Sequence, residues 1–282
     1  MSSIRISILL DNNTLIDKYY LAEPGFSAFV EIDGKKILFD TGYSDAYLQN
    51  AHKMGIDPLD AETVILSHGH LDHTWGLLPL MREMTERDFG LAEGQTPPAK
   101  PKLIAHPACF VEKSSKVLRQ FGNVVSMVSL KAMFDVHLVK TPLQLTEHVL
   151  YLGEIPRVLD FEPAYAIGNT ADDPDYLKDD TALAITTGEG LIILTGCSHA
   201  GICNIVRYAQ ELTGETRIRD IIGGFHLLNP SSERLHGTVA FMKSISPTAL
   251  HACHCTDLRS KVALAGAAPL HEVGCGVVLE YE

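Results

Sequence analysis

The chain has 282 residues, with 23 Lys and Arg against 35 Asp and Glu, for a formal net charge of −12. Such an acidic balance argues against a nucleic-acid partner, because phosphate backbones are bound by clustered Lys and Arg. No apolar run approaches the length of a bilayer and no basic-plus-apolar leader opens the chain, so a cytoplasmic protein without a membrane partner is expected.

Taken in order, Ile4 to Leu10 begins as an alternating strand, and Phe26 to Ile32 and Lys36 to Phe39 flank Asp33-Gly34, a dipeptide that favours a tight hairpin. Phe39-Asp40-Thr41-Gly42 closes this antiparallel unit in a short loop. Thr63 to Ser67 is apolar and β-branched, reads as a buried strand, and runs into His68-Gly69-His70-Leu71-Asp72-His73. Thr85 to Lys102, with Gly90, Gly94, Pro97, Pro98 and Pro101, reads as a long surface loop, after which a short strand ends at His106. Leu191–Thr195 leads into Gly196-Cys197-Ser198-His199. Ile218–Ile222 leads into Gly223-Gly224-Phe225-His226, and Thr248–Ala252 into Cys253-His254-Cys255. Helical stripes follow two of these loops: Ile202, Ile205, Val206, Ala209 and Leu212, then Leu235, Val239, Met242 and Ile245, the second capped by Ser231 or Ser232.

Four strands that each end in a histidine-bearing loop would gather those loops at one sheet edge, where α/β proteins collect ligands. The expected fold class is α/β: a four-layer αβ/βα sandwich in which two sheets are covered by helices on their outer faces. No charged or Ser/Gly-rich linker divides the chain, so residues 1–282 are expected to form one domain with a loop-rich insert at about 85–180. The six cysteines, without a leader, read as free thiols rather than a disulfide framework.

Three imidazoles and a carboxylate within six residues are a donor set for zinc, manganese or iron, and several converging on one turn can hold two ions. His68 and His70 can address one ion with His199, while Asp72, His73 and His254 address a second. Cys197 is open between a thiolate ligand and a buried bystander; as a ligand it would tilt the choice to zinc or iron. Asp72 also suits the role of proton acceptor. Gly224 lets a substrate approach the backbone, His226 beside it is a catalytic or substrate-contacting candidate, and His106 is a further candidate for the substrate pocket. Trp75 reads as a packing anchor beside the site. Cys253 and Cys255 are too close in sequence to close a structural zinc site alone.

The H-x-H-x-D-H pattern after an apolar strand resembles the signature of the metallo-β-lactamase superfamily. The loops at Gly196–Gly201, Gly223–Leu227 and His254–Thr256 resemble the subgroup that includes a dihydropterin-ribofuranosylaminobenzene-phosphate synthase. The resemblance implies the same αβ/βα fold, a pair of divalent ions, a pocket-facing His226, and an Asp40 turn beside the metals rather than on them. This chain departs from the superfamily at two places. Cys197 stands where a bridging aspartate is usual, and the segment from Asp172 to Asp180 offers acids and Tyr176 but no histidine. Either His199 or Asp180 replaces the missing ligand, or one position is weaker. The expected activity is hydrolysis of a small, (phospho)ester-type substrate by a metal-activated water. The alternatives are a dihydropterin transferase that releases diphosphate, and a non-catalytic metal or ligand sensor. No oligomeric state is legible.

Overall fold

A computed structural model describes residues 3–170 and 173–282, so Asp172 lies outside the described residues. Strands β1 (Ile4–Leu10), β2 (Ser27–Ile32) and β3 (Lys35–Phe39) form an antiparallel unit. The β2–β3 turn pairs Ile32 with Lys35, and both Asp33 (φ 55°) and Gly34 (φ 68°) adopt the left-handed conformation that such a two-residue turn requires. Helix α1 (Ala46–Lys53) leads to β4 (Thr63–Ile65), the short helix α2 (Leu71–Thr74) and α3 (Leu77–Phe89). The predicted loop from Thr85 is therefore helical as far as Phe89, because Leu77, Leu80 and Met84 supply an i, i+3, i+7 face that stays buried.

After β5 (Lys102–Ala105), β6 (Lys113–Ser114), α4 (Met127–Met133), β7 (Asp135–Leu138), β8 (Leu143–Gln144) and β9 (Val149–Tyr151) come the small strands β10 (Asn169–Thr170) and β11 (Asp173–Pro174). The C-terminal part is β12 (Ala182–Thr187), β13 (Gly190–Thr195), α5 (Ile202–Thr213), β14 (Ile218–Gly224), α6 (Ser232–Ile245), β15 (Ala249–Cys253), α7 (Leu258–Ala265) and β16 (Val278–Tyr281). Ser231 is the cap of α6, its hydroxyl accepting from the Arg234 amide at 3.2 Å.

One sheet has the order β16-β1-β2-β3-β4-β5-β7 and the other β15-β14-β13-β12-β9-β8. Period-two alternation decides which layer each side chain enters. Ile37, Phe39 and Ile65 from the first sheet meet Leu183, Ile185, Ile192 and Leu194 from the second in a core between the sheets. The intervening residues Leu38, Val64 and Leu66 pack outward on Tyr47, Leu77 and Leu80 of α1 and α3. On the far side Ala184, Leu191 and Ile193 pack on Ile202, Ile205, Val206 and Ala209 of α5 and on Leu235 and Met242 of α6. Three cores thus separate four layers, the αβ/βα sandwich expected from sequence.

β4 runs parallel to β3 and β5, and β13, β14 and β15 run parallel to one another, so all four histidine loops leave from carboxyl ends. Among the described residues no helix is long and apolar enough to cross a membrane. Because Ile192 is fully buried between the sheets, Ile192→Ala should cost about 3 kcal/mol in denaturant unfolding. Leu258→Ala, at a side chain that is 76% exposed, should cost less than about 0.5 kcal/mol.

Candidate metal centre

The strand ends bring together side chains that are far apart in sequence. Asp72, His73, Cys197 and His254 each present a donor atom within 4.8 Å of the others, and so do His68, Cys197 and His199. Cys197 belongs to both groups, with Sγ 3.3 Å from His73 Nε2 and 3.1 Å from His254 Nε2. Asp72 Oδ2 lies 3.7 Å from His73 Nε2 and 3.5 Å from His254 Nε2. His68 Nε2 and His199 Nε2 face each other at 3.2 Å. His70 stands just outside both groups, its ring 4.6 Å from that of His68 and 4.8 Å from that of His199. Its Nε2 is buried and has no hydrogen-bond partner among the described residues.

The chain tightens these loops at a cost in backbone conformation. Asp40, Ser198, His226 and His254 all have φ between 47° and 60°, a left-handed region that non-glycine residues rarely occupy. Gly224 packs behind the donors: a Cβ there would sit 2.6 Å from Cys255 Sγ and 3.1 Å from His254 Cδ2.

Hydrogen bonds set which ring nitrogen faces inward. Asp40 Oδ2 accepts from His73 Nδ1 at 2.7 Å and from the Ser67 hydroxyl at 2.6 Å. With its proton committed to Asp40, Ser67 Oγ accepts from His68 Nδ1 at 3.0 Å. Asn12 Oδ1 accepts from His254 Nδ1 at 2.8 Å, and the His254 amide donates to Asp11 at 2.7 Å. Nε2 of His68, His73 and His254 is thereby left for the interior. Asp40 is the carboxylate beside the site that sequence suggested; Asp11, Asn12 and Ser67 were missed, although Asp11-Asn12 directly ends a predicted strand.

Burial drives His68 and His199 well below the ordinary imidazole range, and pushes His70 down to about 3 and His254 to about 4, so their lone pairs are bare at neutral pH. At His73 burial acts the same way, but the carboxylates of Asp72 and Asp40 outweigh it and push the ring up to about 9. Burial would raise the Asp72 carboxyl, yet His73, His254 and His70 together hold it below its ordinary value. A pocket that crowds lone pairs and carboxylates in this way favours a cation. The donors are the nitrogen, oxygen and sulfur types that bind divalent transition metals, so the residues fit a metal centre.

Part of this donor set, without His68 and His73, forms the floor of a cavity of about 450 Å³. Asp72, His70, Cys197, His199, His226 and His254 line it together with Leu71, Leu118, Phe121, Ile167 and Leu228. His226 reaches the cavity wall with its ring 4.3 Å from that of His199. Two sequence candidates for substrate contact lie elsewhere. His106 caps a 3-10 turn, its Nδ1 accepting from the Ala108 amide at 3.1 Å, and Nε2 faces Glu154 at 3.6 Å; neither His106 nor Gly224 lines the cavity. Asp180 is outside both donor groups, where its Oδ2 accepts the Ala200 amide at 2.9 Å and supports the His199 turn. Trp75 stacks on Tyr43 at 5.3 Å and donates to the Gly122 carbonyl at 2.8 Å, which anchors the first motif to the cavity wall.

The family model of the metallo-beta-lactamase superfamily matches residues 21–98, which include the first motif. A relative from Methanocaldococcus jannaschii, an uncharacterized protein, is 31% identical over 268 residues, covering 92% of this chain and 93% of its own. The chain belongs to the metallo-β-lactamase superfamily. A second relative from that organism, 7,8-dihydropterin-6-methyl-4-(beta-D-ribofuranosyl)-aminobenzene-5'-phosphate synthase, is 29% identical over 280 residues, 93% of this chain and 90% of the relative. A solved metal-dependent hydrolase of the beta-lactamase superfamily superposes with a TM-score of 0.80 at 27% identity, over 99% of both chains. Both the fold and the clustered donors thus agree with the superfamily.

Asp40→Asn, which removes the acceptor shared by His73 and Ser67, should weaken metal affinity by about 10–100-fold in a competition titration, with the fold intact by circular dichroism. Unchanged affinity would show that Asp40 does not orient the ligands. A second prediction concerns Asp180, whose carboxyl burial pushes up to about 7 against the Ala200 and His199 amides. Folded-state protonation is thus favoured, so this stabilisation is complete below about pH 4 and is lost as the pH rises to about 7. In chelator-treated protein, Asp180→Asn should flatten the fall of unfolding midpoint across that window. An identical slope in variant and wild type would show that the carboxyl does not titrate there.

Proposed function

We propose that the chain is a hydrolase of a small phosphoester-type substrate that works with two divalent ions, zinc in the first instance. The observation that carries this reading is the pair of donor groups sharing Cys197 at the floor of a cavity open to a small molecule. His68, His199 and Cys197, with His70 beside them, would hold one ion; Asp72, His73, His254 and Cys197 would hold the other. Such ions supply an activated water and polarise a phosphoryl or carbonyl oxygen. A thiolate at Cys197 favours zinc or iron over manganese. The solved relative of 27% identity, described as a metal-dependent hydrolase, supports the same reaction class.

The residues of this chain then divide the work. The Asp72 carboxylate, held below its ordinary range against burial chiefly by the neighbouring His73 ring, is placed to hold or accept a proton at the cavity floor. His226, on the wall beside His199, is placed to meet the substrate or the group that departs. Leu71, Leu118, Phe121, Ile167 and Leu228 exclude water from the substrate's body and hold it by apolar contact.

That apolar wall also favours a second reading. A flat aromatic ring suits Phe121 and its neighbours, and the 29% identical relative is a synthase whose product, by its name, carries such rings. Under this reading the same donors would steer a diphosphate leaving group in a dihydropterin transfer.

Elemental analysis of protein purified without chelator should find two ions per chain. One ion would mean that the shared Cys197 closes a single site, and none after adding metal back would overturn the reading. The loaded protein should then hydrolyse p-nitrophenyl phosphate esters, and Asp72→Asn should lower kcat by about 10²–10⁴-fold. Diphosphate release from a dihydropterin diphosphate, with no esterase turnover, would select the transferase. Bound metal with neither activity would leave a sensor.

A further inference from the structure

Tyr165 and Arg234 attracted no attention in the sequence, yet the fold joins both to His226. The Tyr165 hydroxyl lies 2.6 Å from His226 Nδ1, and Arg234 Nη1 lies 3.3 Å from that hydroxyl. The guanidinium also sits over the Tyr165 ring, 5.6 Å from its centroid. Tyr165 is delivered by the loop before β10, Arg234 by the first turn of α6, and His226 by the loop after β14.

Donor and acceptor inventory gives this chain a direction. Arginine carries N–H groups only, so Tyr165 oxygen must accept from it. The single phenol proton then needs an acceptor, and among the described residues His226 Nδ1 is the one within reach. An Nδ1 that accepts places the imidazole proton on Nε2. The two ring nitrogens diverge and His226 lines the cavity, so with Nδ1 turned to Tyr165 it is Nε2–H that is presented there. Among the described residues no Lys or Arg lines the cavity and Arg234 forms no salt bridge with a carboxylate. A guanidinium that forms no salt bridge and feels the buried Glu162 carboxylate only at longer range, behind a fixed N–H donor, is a setting for negative charge.

We propose that Arg234, Tyr165 and His226 form a directional relay that fixes His226 as an Nε2–H donor to a phosphoryl oxygen of the substrate. His226 is the residue that touches substrate; Tyr165 and Arg234 are positioning residues that act through it. The anion-binding half of this inference rests on the phosphoester reading above, whereas the relay itself does not.

The test has two arms. In metal-free, ¹⁵N-histidine-labelled protein, long-range ¹H–¹⁵N correlation reports the tautomer of His226, its signals assigned by their loss in His226→Gln. Wild type should show the Nε2–H form. Tyr165→Phe, which cannot donate, and Arg234→Met, which frees Tyr165 to accept from the ring, should each populate the Nδ1–H form. An Nδ1–H wild type, or a tautomer unmoved in both variants, would overturn the relay. Either variant suffices should the other fail to fold.

In the second arm, metal-loaded protein is titrated with inorganic phosphate. Tyr165→Phe should weaken binding about fivefold or more with metal content unchanged. Equal affinity, or no phosphate binding by loaded wild type, would overturn the anion role while leaving the relay to the first arm. Absent metal would fail the phosphoester reading without touching the tautomer result.

Discussion

Asp40 accepts two hydrogen bonds at Oδ2, from His73 Nδ1 and from the Ser67 hydroxyl, and a third at Oδ1 from the Ser67 amide at 2.7 Å. Through Ser67 it also governs His68. A fully buried carboxylate is costly unless it is satisfied, and this one is satisfied by the groups that turn imidazole lone pairs toward the metal centre. The φ of 56° at Asp40 is held where its amide donates to the Ile65 carbonyl at 2.8 Å, one step beyond the parallel β3–β4 pairing. Ligand orientation, loop conformation and sheet pairing are therefore one constraint seen at three scales.

The cavity wall is tied to the same centre by a second buried network. Lys113, wholly buried, pairs with Asp175 at 2.6 Å and with Asp179 at 3.3 Å. The other oxygen of Asp179 accepts the Gly69 amide at 2.7 Å, between His68 and His70. The small sheet β11-β10-β6, which carries Lys113 and adjoins Ser115, Leu118 and Phe121, is thus clamped to the first motif. Removing one partner from such a cluster would leave a buried charge uncompensated, so metal geometry and pocket shape stand or fall together.

The sandwich supplies the rigidity that both networks need. Parallel strands β13, β14 and β15 are buried on both faces, which explains their largely apolar sequences; buried polar residues within them, Asp220 of β14 and His251 of β15, satisfy each other, with His251 Nδ1 2.9 Å from Asp220 Oδ1. Cys197, His199, His226 and His254 are held past their carboxyl ends on short tethers, close enough for one thiol to touch both donor groups.

How much of this was legible in the linear chain depended on the range of the physics. Period-two alternation at Ile37–Phe39, the unbroken apolar run Leu191–Leu194, the Asp33-Gly34 turn, and the stripes of α5 and α6 are local, so the αβ/βα layering could be read directly. The dense first motif announced itself because six consecutive residues carried four donors. His254 and His199 were found by their place at strand ends, a rule of topology that sequence already carries. The helix over Thr85–Phe89 was misread as loop because Gly and Pro further on masked a buried face that only packing reveals. His106 looked like its neighbours at strand ends, but tertiary structure turned it to Ala108 and Glu154. Ser67, Lys113, Asp179, Tyr165 and Arg234 had no signal of their own, since their partners lie up to 110 residues away. Sequence by itself determined the layers, the strand ends and the kinds of donor atom, because these follow from side-chain chemistry and short-range periodicity. Only the tertiary structure decided which nitrogens face inward and which wall closes over them, because hydrogen-bond direction depends on partners that the fold alone brings within reach.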